Sequence, residues 1–266
     1  MMIDYSRYTC IQVEKRDRIA VLTLNRPEAL NTIDRTMHLE LEDIFQDVSR
    51  DEEVRVVVLT GAGRVFSAGG DLKAQDAWIN QGAPYVTIEM ARKLIHNILD
   101  VDQPIIAALN GDTLGLAANI ALFCDIIYAT EDTRLGDPHV AIGLVAGDSG
   151  CIIWPLLAGI PKAKELLFTG DLIAAREAER MGIINHVTSR DELMPEAMAM
   201  AERLAHGPTR AIRWTKKMIN KRLRDEVNLV LDASLGVEFA ETIGKEDHRE
   251  AVRAFLEKRQ PQFKGE

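Results

Sequence analysis

The sequence predicts an α/β fold with a helical C-terminal region, and three observations carry that expectation. Residues 54–60 (VRVVVLT) form a β-branched run suited to a strand. That run follows a helical-period segment, which itself follows the apolar run 19–24 (IAVLTL). Strand, helix and strand in this order imply parallel pairing with a right-handed crossover. From Glu192 onward the pattern is helical throughout, a change of character that divides the chain into an α/β core, 1–190, and a helical region, 191–266.

In chain order, residues 10–13 and 19–24 flank a charged turn and read as a hairpin. A helix follows, with Met37, Leu41, Ile44, Phe45 and Val48 at helical spacing and Thr32 or Asp34 as N-cap. His38 lies at the edge of its apolar face, where packing alone would account for it. The strand at 54–60 runs into the loop 61–72 (GAGRVFSAGGDL). Position 66 is Phe where a dinucleotide fingerprint needs Gly, so that reading fails. Asp71 is placed to cap a further helix, and Gly69-Gly70 would let the loop's N–H groups face a cleft. A helix is expected from Pro84 to Asp100. The stretch 104–150 then organises the rest: a buried strand at 105–109, an Asn110-Gly111 turn, a small-residue helix at 114–123 and a strand from Asp125. It closes with bends at Asp137-Pro138-His139 and Gly147-Asp148-Ser149-Gly150, across which a His and an Asp nine residues apart could meet. The bland alternative is a surface-loop His and a helix-capping Asp. Helices at 161–168 and 174–181 and a short strand at 183–187 complete the core, and a last helix spans 245–258.

Composition bounds the function. With 266 residues, a net charge of −9 argues against nucleic acid as the main partner. Asn119 and Asp125 interrupt the longest apolar segment, so no membrane span is expected. Met1-Met2-Ile3-Asp4 lacks the pattern of a signal peptide, and Cys10, Cys124 and Cys151 share no ligand spacing. A reduced, cytoplasmic setting is the expectation. The six His residues make no metal-binding pattern, so no metal is expected, and no G-x-S-x-G nucleophile elbow occurs.

Four motifs in order resemble the enoyl-CoA hydratase/isomerase (crotonase) family over nearly the whole length. They are 25–31 (NRPEALN), 66–72 (FSAGGDL), 104–125 (with PIIAALNG and CDI) and 255–263 (FLEKRQPQF). The resemblance implies a crotonase-like spiral of ββα repeats with a helical C-terminal trimerisation region. It also implies a homotrimer or dimer of trimers and an acyl-CoA thioester substrate, with no cofactor beyond the coenzyme A of that substrate. Carried over by position, Ala68 and Leu116 would give the backbone N–H groups of the oxyanion hole. Arg26, Ala29, Leu30, Gly69, Asp71, Leu72, Lys258, Phe263 and Lys264 would contact coenzyme A. The two Glu residues that a hydratase of this family uses fall on Asn119 and His139. His139 with Asp148 resembles instead the 6-oxocamphor hydrolase-type branch, which cleaves a C–C bond of β-diketones, and His38 matches a His of that branch. On this reading His139, oriented by Asp148, activates water, Asn119 positions it, and His38 is a further candidate. The expected reactions are hydration or hydrolytic cleavage of an acyl-CoA. A CoA-independent diketone hydrolase and a non-catalytic acyl-CoA binder stand as alternatives.

Overall fold

The computed structural model describes residues 3–81 and 86–266. The expected helix start at Pro84 and the leader reading at Met1 and Met2 lie outside the described residues.

Strands β1 (Ile11–Arg16) and β2 (Ile19–Leu24) form the expected antiparallel hairpin. Helix α1 (Arg35–Arg50) is capped by Asp34, whose side chain accepts the Met37 N–H, and it buries Met37, Leu41, Ile44, Phe45 and Val48. Strand β3 (Val56–Gly61) pairs parallel to β2, as strand–helix–strand order requires. Asp71 accepts the N–H groups of Lys73 and Ala74 and so caps α2 (Leu72–Gln81). Helix α3 (Ile88–Asp100) is capped by Thr87 and packs on α1. Strand β4 (Ile105–Leu109) is wholly buried between β3 and a later strand, which explains its unbroken apolar sequence.

The stretch read as one small-residue helix is split. A two-residue strand, β5 (Thr113–Leu114), precedes α4 (Leu116–Leu122), with Gly115 between them. Then come β6 (Ile126–Thr130), β7 (Arg134–Gly136), a short 3₁₀ turn (His139–Ile142), α5 (Gly150–Ala158), α6 (Ile160–Thr169), β8 (Ile173–Ala174), α7 (Ala175–Arg180) and β9 (His186–Thr188). The main sheet runs β1-β2-β3-β4-β6-β9, parallel throughout except for the hairpin, and β5-β7-β8 form a second, smaller sheet. The helical region comprises α8 (Arg190–Ala205), α9 (Thr209–Val237), a π-turn (Glu238–Thr242) and α10 (Glu246–Glu257). Helix α8 covers one face of the main sheet through Leu193, Ala197, Ala201 and Ala205, whereas α10 turns back to pack on α2 and on the 3₁₀ turn. Among the described residues, no helix is long and apolar enough to cross a membrane.

Candidate active site

Three short backbone pairings draw distant loops into one place. Ile33 bridges to Gly70, Ser67 bridges to Thr113, and β5 pairs with β7 so that the Gly115 N–H donates to Gly136 O at 2.9 Å. The loop after β3, the start of α4 and the His139 turn thereby become neighbours. Glycine is required where they touch: Gly69 has φ +87°, and a Cβ there would lie 2.8 Å from Leu114 O. They wall a cavity of about 530 Å³, lined also by α2, the π-turn and α10.

His139, Ala68, Leu116, His38 and Asp148 all line this cavity. The expected His139–Asp148 proximity is present, with Nε2 3.3 Å from Asp148 Oδ2. The other ring nitrogen has a partner that sequence reasoning missed: His139 Nδ1–H donates to Asp137, which is 2 % exposed. The cue lay two residues upstream, in the D-P-H triplet itself. Burial alone would push the His139 pKa down, but the Asp137 and Asp148 carboxylates outweigh it and hold the imidazole well above its ordinary 6.5. Asp137, which burial would raise, is in turn lowered by the facing imidazolium. Asp137, His139 and Asp148 each bring a ligand atom within 4.8 Å of the others, a metal-compatible spacing in which the imidazole itself bridges the carboxylates.

Several roles inferred from sequence need correction. Asn119 is fully buried, and its amide donates to Asp137 Oδ2 and Asp148 Oδ1, each at 2.9 Å. Its carbonyl accepts from Trp154 Nε1 at 3.0 Å. With both donors engaged and no place on the cavity wall, Asn119 braces the carboxylates rather than positioning water. The Ala68 N–H is committed to Leu30 O at 3.0 Å, so it is not a free oxyanion donor. In the same loop, the Gly69 N–H meets Ser67 Oγ and the Asp71 N–H meets Ile33 O. Gly70, which lines the cavity, has an N–H with no acceptor among the described residues. The Leu116 N–H is likewise without an acceptor, as expected for the first residue of a helix. Gly70 and Leu116 are thus lining residues with unengaged amides on the two loops that meet beside His139.

Ala29, Leu30, Gly69, Asp71 and Leu72, assigned from sequence as coenzyme A contacts, line the cavity. Arg26 does not: its guanidinium pairs with Asp34 at 3.1 Å and Asp71 at 3.4 Å, where it holds the loop together. Lys258, Phe263 and Lys264 are exposed on the tail, and none reaches the cavity wall. The Lys264 amide binds Asp247 instead. The lysine on the wall is Lys73, one residue past the motif that was singled out. His38 is 1 % exposed with Nδ1 3.1 Å from Glu42 Oε1, while Glu42 also meets Lys93 at 3.2 Å. It is therefore a packed His, hydrogen-bonded to Glu42, that also borders the cavity. Glu238 and His248, both on the cavity lining, were given no role from the sequence. Glu238 opens the π-turn, and His248 accepts the Gly244 N–H at 2.9 Å and pairs with Gln75 at 3.1 Å. Burial takes the His248 pKa down to about 4.

Comparison with known proteins gives the lineage. The sequence model of the family described as enoyl-CoA hydratase/isomerase matches residues 14–266. The chain is similar to the short-chain-enoyl-CoA hydratase of Clostridium acetobutylicum, with 34 % identity over 254 residues, 93 % of this chain and 94 % of the relative. It is similar to the crotonyl-CoA hydratase of Syntrophomonas wolfei, with 33 % identity over 258 residues, 96 % of this chain and 98 % of the relative. Among solved structures, it resembles an enoyl-CoA hydratase/isomerase from Mycobacterium paratuberculosis with a TM-score of 0.88 and 35 % identity, covering 94 % of this chain and 99 % of that one.

Proposed function

The chain belongs to the enoyl-CoA hydratase/isomerase family, and on that premise we propose that it binds an acyl-CoA thioester and catalyses a water-dependent reaction on its acyl group. The Gly70 and Leu116 N–H groups would hold the thioester oxygen as negative charge develops on it. His139, in the free-base form reached above its raised pKa, would take a proton from water. Asp137 and Asp148 would orient the imidazole and stabilise the imidazolium that forms. Asn119, tied to Trp154, keeps the two carboxylates in place. Coenzyme A would enter past Lys73, whose ammonium suits a phosphate, and the protein would assemble as a homotrimer or a dimer of trimers.

The observation that carries this reading is the juxtaposition of two unengaged amides with an imidazole on one cavity wall: a Cβ on Gly115, which joins the two elements, would stand 3.6 Å from His139 Cε1. The relatives named as enoyl-CoA hydratases support hydration as the reaction. The replacement of both family Glu positions by a buried Asn and a carboxylate-held His favours hydrolytic C–C cleavage as the second reading, of a β-keto acyl-CoA or of a CoA-free cyclic diketone. Incubation with enoyl-CoA, 3-oxoacyl-CoA and a cyclic diketone in ¹⁸O-water, with products identified by mass spectrometry, separates them. Label in a 3-hydroxyacyl-CoA marks hydration, and label in a new carboxylate marks cleavage. Turnover of the diketone alone would overturn the thioester reading.

A further inference from the structure

Glu238 is the polar side chain of the cavity that the chemistry above leaves without a task. It is 5 % exposed and stands on the cavity wall, yet neither carboxyl oxygen has a hydrogen-bond partner among the described residues, and Oε2 is fully enclosed. Its position is fixed closely: a Cβ on Gly147 would fall 2.6 Å from Glu238 Oε2, so the carboxyl group lies directly against the residue preceding Asp148. The backbone that presents it is a π-turn continuing α9, a local insertion that commonly marks a functional position. Leaving a buried carboxyl group unpartnered costs stability, and an apolar side chain would fill the same place without that cost. The lining on which it stands includes apolar Phe239, Leu144 and Ile142 as well as Asp148 and His139.

We propose that the Glu238 carboxyl group is a recognition subsite for a second, uncharged oxygen on the acyl group, a carbonyl or hydroxyl close to the reacting carbons. This inference rests on the acyl-CoA reading. Burial, then the neighbouring Asp148 carboxylate, raise Glu238 well above the usual carboxylate range, which favours the protonated form, an O–H donor. A neutral donor selects a polar but uncharged acceptor. A cation would find a protonated acid, and an anion would meet the Asp148 charge. The substrate class that fits is an acyl-CoA already carrying an oxygen function, in preference to a plain saturated or enoyl chain.

The test is isothermal titration of the parent protein and of Glu238→Leu and Glu238→Gln with butyryl-CoA, 3-hydroxybutyryl-CoA and acetoacetyl-CoA. The parent should bind one of the oxygenated pair about tenfold more tightly than butyryl-CoA. Glu238→Leu should lose that preference while binding butyryl-CoA at least as well, and its melting temperature should not fall. Glu238→Gln, whose amide still donates, should keep the preference and remains informative if the Leu variant does not fold. Parent binding of all three without preference, or a preference that survives in Glu238→Leu or vanishes in Glu238→Gln, overturns the subsite while leaving the acyl-CoA reading intact. Failure of the parent to bind any of the three overturns the acyl-CoA reading and the subsite with it.

Discussion

At the scale of single residues, the site is a set of side chains that hold one another in place. His139 is gripped at both nitrogens, and each carboxylate that grips it is gripped in turn by Asn119. Asp137→Asn should lower the His139 pKa by removing the buried partner of Nδ1, and it should reduce turnover by releasing the ring. A pH–rate profile of that variant, with its rising limb moved toward acid, is the expected outcome. Beside Asp148, Ser149 stands at φ +94° with its Oγ buried and unpartnered. Ser149→Gly removes both penalties and should stabilise the protein by about 1 kcal/mol, read by denaturant unfolding. Residue types were legible where a motif or a spacing marked them, as for His139 and Asp148. Asp137 was hidden because an Asp before Pro also suits an ordinary turn, and Glu238 because it lies 99 positions beyond His139 in a helix without any local signature.

At the scale of elements, α1 follows from periodicity and capping because it buries one regular face, and β2, β3 and β4 follow from unbroken apolar runs because both their faces are covered. The region from Leu114 to Phe123 does not. Its small apolar residues fit a single helix, and only the tertiary pairing of β5 with β7 pulls Leu114 into a strand and leaves Gly115 at φ +55°. That break places the Leu116 N–H at the first position of α4, where proline is tolerated because its missing donor has no helical partner anyway. Leu116→Pro should keep the fold and lower turnover by about 10²–10³, the typical value of one oxyanion donor; unchanged turnover in a folded variant would remove Leu116 from that role. Donor identity in the other loop was beyond sequence reasoning, since choosing between Ala68 and Gly70 depends on which N–H the Leu30 carbonyl takes. The tail gives a parallel case. Lys73→Ala should weaken coenzyme A binding, whereas Lys258→Ala with Lys264→Ala should leave it near the parent value, because Lys73 lines the cavity and the other two do not.

At the scale of the whole molecule, the helical region serves two ends: α8 covers the main sheet, and the π-turn with α10 closes the cavity. Exposed Trp214, Met218, Ile219 and Leu229 on α9 support the proposed trimer or dimer of trimers, which light scattering would reveal as three or six times the mass of one chain. Stability should also carry the mark of the buried ion pairs. The raised His139 pKa contributes stability that is fully present below about 6.5 and is lost as pH rises through the higher folded value. The lowered Asp137 pKa contributes stability present above its ordinary value of 3.8 and lost on acidification through the lower folded value. A plateau of melting temperature between these limits is the expected profile. The central claim, that an imidazole held between two carboxylates activates water against an acyl thioester, is tested most directly by kcat/KM on the preferred acyl-CoA as a function of pH. The expected result is a single rising limb with its midpoint above 6.5, lost together with most of the rate in His139→Ala. A limb in the carboxylate range below about 5, unchanged in His139→Ala, would contradict it.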